Sequence, residues 1–172
     1  MGHSITGLYA VNYAQLYPDE MEGFIGIDSS TPEQPWPGIN MTMFDFLKTA
    51  GVFRLLINVS PEKGLGVPQN HPDFEQMKLL TMNNMSSRAM KDELQELSNS
   101  FPDSRCLTYP KEMPVLLFVA DNEMNQKNWL EMHQDQVRGL EKGVLIELPG
   151  PHYLHQTQME TIVKETTRFL GN

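Results

Sequence analysis

Three groups of residues in this sequence carry side chains suited to acyl transfer, and they occur in the order serine, carboxylate, histidine. Gly2-His3-Ser4-Ile5-Thr6-Gly7 offers a hydroxyl among small residues. A serine hydroxyl is a weak nucleophile until a base takes its proton, and a nucleophile held on a sharp turn needs small neighbours to admit the backbone. The spacing approaches G-x-S-x-G, with Thr6 where the last glycine would stand and Gly7 after it. Gly150-Pro151-His152-Tyr153-Leu154-His155 offers imidazoles that could act as the base. Asp121, Glu123 and Asp28 offer carboxylates that could orient an imidazole and stabilise its charged form. Each group alone also has a plain structural reading: a helix-capping serine, a surface loop with two histidines, polar residues at strand ends. His71 and His133 lack comparable placement and are expected on the surface, and His3 is expected to pack or hydrogen-bond rather than act as a second base.

The elements that must position these groups can be read from the apolar pattern. Ile5–Tyr17 has helical spacing and stops at Pro18. Phe24–Ile27 and Pro114–Ala120 are apolar without alternation, as expected of strands buried on both faces of a parallel sheet. Asn128–Leu140 reads as a helix and Val144–Leu148 as a strand. Met159–Leu170 reads as an amphipathic helix whose buried stripe would hold Met159, Ile162, Val163, Thr166, Phe169 and Leu170. Between the first two strands, residues 40–109 differ in character. Helical patterns there are broken near Gly51, a Gly- and Pro-rich loop is expected over 61–72, and helices return over 74–82 and 86–97. Met41, Met43, Met82 and Met85 in this segment read as core filler. The expectation is an α/β fold with a parallel sheet: core residues 1–39, a helical insertion over 40–109, and core residues 110–172 carrying an acid and the histidine. Ligand sites in such sheets lie at the carboxyl ends of the strands, where all three groups fall.

With this order in place, the chain resembles the C-terminal half of the cap-bearing α/β-hydrolases, a group that includes small esterases and proline-iminopeptidase-like enzymes. The resemblance rests on Gly-His-Ser-Ile-Thr-Gly, on Tyr-Pro-Asp-Glu-Met-Glu-Gly-Phe-Ile-Gly-Ile-Asp, on Pro-Val-Leu-Leu-Phe-Val-Ala-Asp-Asn-Glu and on Gly-Pro-His-Tyr-Leu-His. It implies Ser4 as nucleophile, the Ile5 amide as one oxyanion donor and His152 as base. The family's acid position corresponds to Glu123, with Asp121 the second choice and Asp28 the third. Residues 40–109 would be the cap. The resemblance also implies that the strands before the nucleophile turn are absent here, and with them a second oxyanion donor whose loss is worth about 3 kcal/mol of transition-state stabilisation. Met1 could be an internal methionine taken for a start, that half could be lost from the gene, or it could be supplied by a second polypeptide or a symmetric partner.

Composition narrows the partners. A net charge of −9 is ill suited to neutralising phosphates, so neither nucleic acid nor an anionic membrane is expected. Cys106 is the lone cysteine, which excludes an internal disulfide and a cysteine-based zinc site. The sequence shows no signal-peptide pattern and no apolar run of about 20 residues, so a soluble cytoplasmic protein is expected. The expected activity is serine hydrolysis of a small hydrophobic ester or amide through an acyl-enzyme, with no metal or organic cofactor. The alternative is a catalytically silent hydrolase remnant that serves as a binding or interaction module.

Overall fold

Strands that are apolar at every position need cover on both faces, and the computed structural model, which describes residues 1–85, 87–121 and 128–171, has such a sheet. Its strands are β1 (Gly2–His3), β2 (Phe24–Ile27), β3 (Val115–Ala120) and β4 (Gly143–Leu148), all parallel and in the order β1-β2-β3-β4. The register pairs Gly2 with Gly26, Phe24 with Val115, and Val115 with Gly143. Every residue of β2 and β3 is buried. Odd-numbered residues of β3 (Val115, Leu117, Val119) pack with Ala10, Val11 and Ala14 of helix α1 (Thr6–Leu16). Leu116, Phe118 and Ala120 pack on the other face with Leu148, Leu154 and Ile162. The period-two alternation of a strand thus divides one apolar run between two cores.

The chain forms two compact units, Met1–Pro35 with Phe101–Asn172, and Trp36–Ser100. Within the second unit α2 (Met41–Thr49) is capped by Asn40, whose side chain accepts the Met43 amide at 3.0 Å. Gly51, with φ 78°, separates it from α3 (Val52–Val59), as the sequence break predicts. The segment expected as a loop over 61–72 opens instead with a short helix, α4 (Pro61–Leu65), started by a proline that gives up no needed donor at the first helical position. α5 (Phe74–Asn84) follows, then α6 (Arg88–Ser104). Ile57, Leu65, Val67 and Phe74 form this unit's core, with Met77 and Met82 packed against it. Met43, by contrast, is exposed and fills no core. The unit ends at Ser100, short of the expected residue 109, and Tyr109 stacks on Phe24 in the first unit's core.

After β3 come α7 (Trp129–Val137), β4, the short α8 (Leu154–Thr157) and α9 (Met159–Leu170). The stripe expected on α9 is too broad. Ile162 is buried and Phe169 packs beside it, but Met159, Val163 and Leu170 are exposed. Ile162 and Phe169 stand seven residues apart, two turns along one line of the helix, and a single line suffices to meet the sheet. No helix among the described residues is long and apolar enough to cross a membrane.

Two glycines are fixed by close approach. A Cβ on Gly7 would stand 2.1 Å from the Ser30 carbonyl oxygen, and one on Gly26 would stand 2.4 Å from Ser29 Oγ. The backbone oxygen at Gly7 cannot turn aside as a side chain could. Gly7→Ala should therefore destabilise the protein by about 1–3 kcal/mol, the usual cost of overpacking, measured by urea denaturation.

Candidate active site

Ser4 follows the last residue of β1 and precedes the helix by one residue, so strand must become helix within two peptide units. It does so through a left-handed Ser4, φ 55°, a region that costs a non-glycine residue roughly 1–2 kcal/mol. The turn is held from several directions. The Ser4 carbonyl accepts the Ser30 amide at 2.7 Å and the Gly7 amide at 3.2 Å. Thr6 Oγ1 donates to the His3 carbonyl at 2.9 Å, and its Cγ2 lies 2.2 Å from where a Cβ on Gly2 would be. Thr6, the departure from the glycine spacing, therefore closes the turn against Gly2. The Ser4 residue is half-buried. Ile5 stands at the head of α1, where the first amides of a helix have no intrahelical acceptor.

His152 lies on the loop after β4. Its Nδ1 is 2.6 Å from Asp28 Oδ2, and its side chain keeps 22% exposure while that of Asp28 has 1%. A carboxylate oxygen only accepts, so Nδ1 carries the proton and a neutral imidazole has its lone pair on Nε2. Asp28 follows β2 with φ 43°, and its other oxygen accepts the Ala120 amide at 3.0 Å and the Trp129 indole N–H at 2.9 Å. The register explains the first of these bonds. Ile27 pairs with Phe118, so β3 outruns β2 by two residues and brings the Ala120 amide alongside the Asp28 side chain. Burial pushes the Asp28 carboxyl up, but the bonds from His152, Ala120 and Trp129 outweigh it and hold the group below the ordinary carboxylate value.

The other expected residues are distributed as follows. Asp121 Oδ1 accepts the Gly150 amide at 3.1 Å and so ties down the loop leading to His152, while the imidazole itself meets Asp28. Glu123 lies outside the described residues. His3 Nε2 lies 2.9 Å from the His152 carbonyl, which joins the Ser4 turn to the His152 loop. His133 is fully buried, correcting its assignment to the surface; its ring nitrogens meet the Trp129 and Ser29 carbonyls at 2.8 and 2.7 Å. Trp129 is the partner that the sequence reading missed as a site residue. A Trp half-buried against a core still seeks an acceptor for its N–H, and a nearby strand-end aspartate is a natural one. No group of three or more His, Cys, Asp or Glu among the described residues is arranged to hold a metal ion. A separate cavity of about 560 Å³, lined by Phe24, Pro114, Lys142 and Phe169 among others, opens at the amino ends of the strands, away from these groups.

Two outcomes follow from the Asp28 environment. A carboxyl with a lowered folded-state pKa stabilises the fold above its unfolded value of about 3.8 and loses that contribution as pH falls through the folded value. Acid unfolding curves should therefore steepen below about pH 4 in the parent protein and flatten in Asp28→Asn. Trp129→Phe removes one donor from a buried oxygen and should cost about 1–3 kcal/mol in denaturant titration.

Known proteins offer partial matches to this arrangement. No protein-family model matches the chain. An uncharacterized protein of Bacillus subtilis (strain 168), YbdG, is 26% identical over 186 residues, covering 99% of this chain and 57% of its own length. A crystallised soluble variant of monoglyceride lipase from Saccharomyces cerevisiae superposes with a TM-score of 0.50 at 18% identity, covering 99% of this chain and 63% of the lipase. The Vlm2 thioesterase domain superposes with a TM-score of 0.43 at 17% identity, over 94% of this chain and 64% of its own. The chain thus spans less than two thirds of the length of each. A parallel four-stranded sheet flanked by helices superposes along almost its whole length on part of the lipase, so the chain shares the α/β-hydrolase fold over that part.

Proposed function

We propose that this chain carries the catalytic residues of a serine hydrolase acting on a small hydrophobic ester or amide, with Ser4 as nucleophile, His152 as base and Asp28 as the acid. The observation that carries the reading is the 2.6 Å contact between His152 Nδ1 and the buried Asp28 carboxylate, on a loop tied to the turn that bears Ser4. In this reading His152 Nε2 takes the Ser4 hydroxyl proton as Oγ bonds to the substrate carbonyl carbon. The resulting oxyanion is met by the Ile5 amide. His152 then gives the proton to the departing alcohol or amine, leaving an acyl-Ser4. Water repeats the sequence, with its proton passing to His152 and then to Ser4 Oγ as the carboxylic acid leaves. No cofactor enters any of these steps. The likeness of the fold to a monoglyceride lipase supports an acyl substrate for this chain.

A second reading, a silent module that binds without turnover, is favoured by Thr6, which stands where the last glycine of the G-x-S-x-G spacing would be. Labelling with a fluorophosphonate, located by mass spectrometry, separates the two. The active reading expects stoichiometric modification of Ser4, its loss in His152→Ala, and a fall of roughly 10^4-fold in rate for Asp28→Asn, with a much smaller change for Asp121→Asn. A folded sample that stays unlabelled would overturn it in favour of the silent module.

A further inference from the structure

Asp28 fixes which way the His152 ring points, but a ring is only as well placed as the backbone that carries it. The loop bearing that backbone is tethered at several points. Gly150 donates its amide to Asp121, Gln158 Nε2 donates to the Pro149 carbonyl at 2.7 Å, and at His152 itself the carbonyl meets His3 Nε2 at 2.9 Å. A carbonyl oxygen only accepts, so His3 must carry its proton on Nε2. The His3 ring also lies 4.4 Å from the His152 ring, 5.5 Å from Tyr153 in a stacked arrangement and 4.8 Å from His155 edge-on. His3 is the chain neighbour of Ser4, and its own carbonyl is bonded by Thr6 within the same turn. One side chain therefore joins the main chain next to the nucleophile to the main chain of the base.

We propose that His3 is a positioning residue whose Nε2–H, donated to the His152 carbonyl, sets the distance between Ser4 and His152. The proposal rests on the reading of those two residues as nucleophile and base. The imidazole acts as a neutral donor, since burial pushes it below its ordinary value. Its ring packing and its hydrogen bond can be separated by substitution. Phenylalanine keeps a flat ring and loses the donor, whereas glutamine places an amide N–H near the position of Nε2 without the ring.

The test compares the parent chain, His3→Phe and His3→Gln by fluorophosphonate labelling rate at Ser4 and by hydrogen exchange over residues 149–153. The proposal expects His3→Phe to label about tenfold more slowly, the scale of one neutral hydrogen bond, and to exchange faster in that loop. His3→Gln should recover most of the labelling rate and of the protection. Parent-like labelling and exchange in His3→Phe would overturn the proposal, as would a His3→Gln as impaired as His3→Phe. An unlabelled parent chain would defeat the functional reading instead, and the exchange comparison would still decide whether the clamp exists. If His3→Phe does not fold, nitrogen NMR of the parent imidazoles decides: a proton on His3 Nε2 supports the clamp, and one on Nδ1 alone overturns it.

Discussion

Taking an ionised carboxylate out of water costs several kcal/mol unless its oxygens are met by donors, and Asp28 is wholly enclosed. The rest of the core can be understood as the means of meeting it. One oxygen takes a main-chain amide from β3 and an indole N–H from the first residue of α7, and the other takes the His152 imidazole. These donors stand 92, 101 and 124 residues from Asp28 along the chain, so the carboxylate is satisfied only when β2, β3, α7 and the loop after β4 are all in place. Folding and assembly of the candidate site are in this sense one event. A partly folded chain would leave the charge unpaired and be disfavoured for that reason.

A second constraint acts at the other end of the site. The left-handed Ser4 raises the energy of the turn, and it persists because the surroundings allow little else. Gly7 brings α1 close enough for the Ser4 carbonyl to accept the Ser30 amide, and Gly2 leaves room for Thr6. The strain and the small residues are thus two sides of one packing solution. Ser4, Asp28 and His152 each follow the carboxyl end of a strand of the same sheet.

Much of this was legible in the sequence, for reasons that can be named. Phe24–Ile27 and Met159–Leu170 could be bounded because an uninterrupted apolar run and an amphipathic pattern are local signals. The serine turn and the histidine loop were legible because glycine and proline spacing marks them. Which carboxylate meets the His152 imidazole was not. Asp28 and Asp121 both follow buried strands, and what separates them is register: β3 outruns β2, so Asp28 is overlapped by its neighbour while Asp121 reaches the Gly150 amide. Register is a property of two strands and is invisible in either one. The exposed side of α9 was missed for a related reason, since hydrophobicity marks which residues can be buried and not which neighbour is present to bury them.

The depth of the Asp28 carboxylate separates it from its surroundings in one more respect. Mobile ions screen charges that face the solvent, with a reach of about 10 Å at 0.1 M salt and about 3 Å at 1 M. Lys111 with Glu141, and Arg138 with Asp135, are pairs of solvent-exposed side chains, open to counter-ions and weakened as salt rises toward 1 M. Counter-ions cannot approach the enclosed oxygens of Asp28. In brine the outer ion pairs would fade while the imidazole kept its orientation, so the pairing of His152 with Asp28 is insulated from ionic strength even where the surface is not.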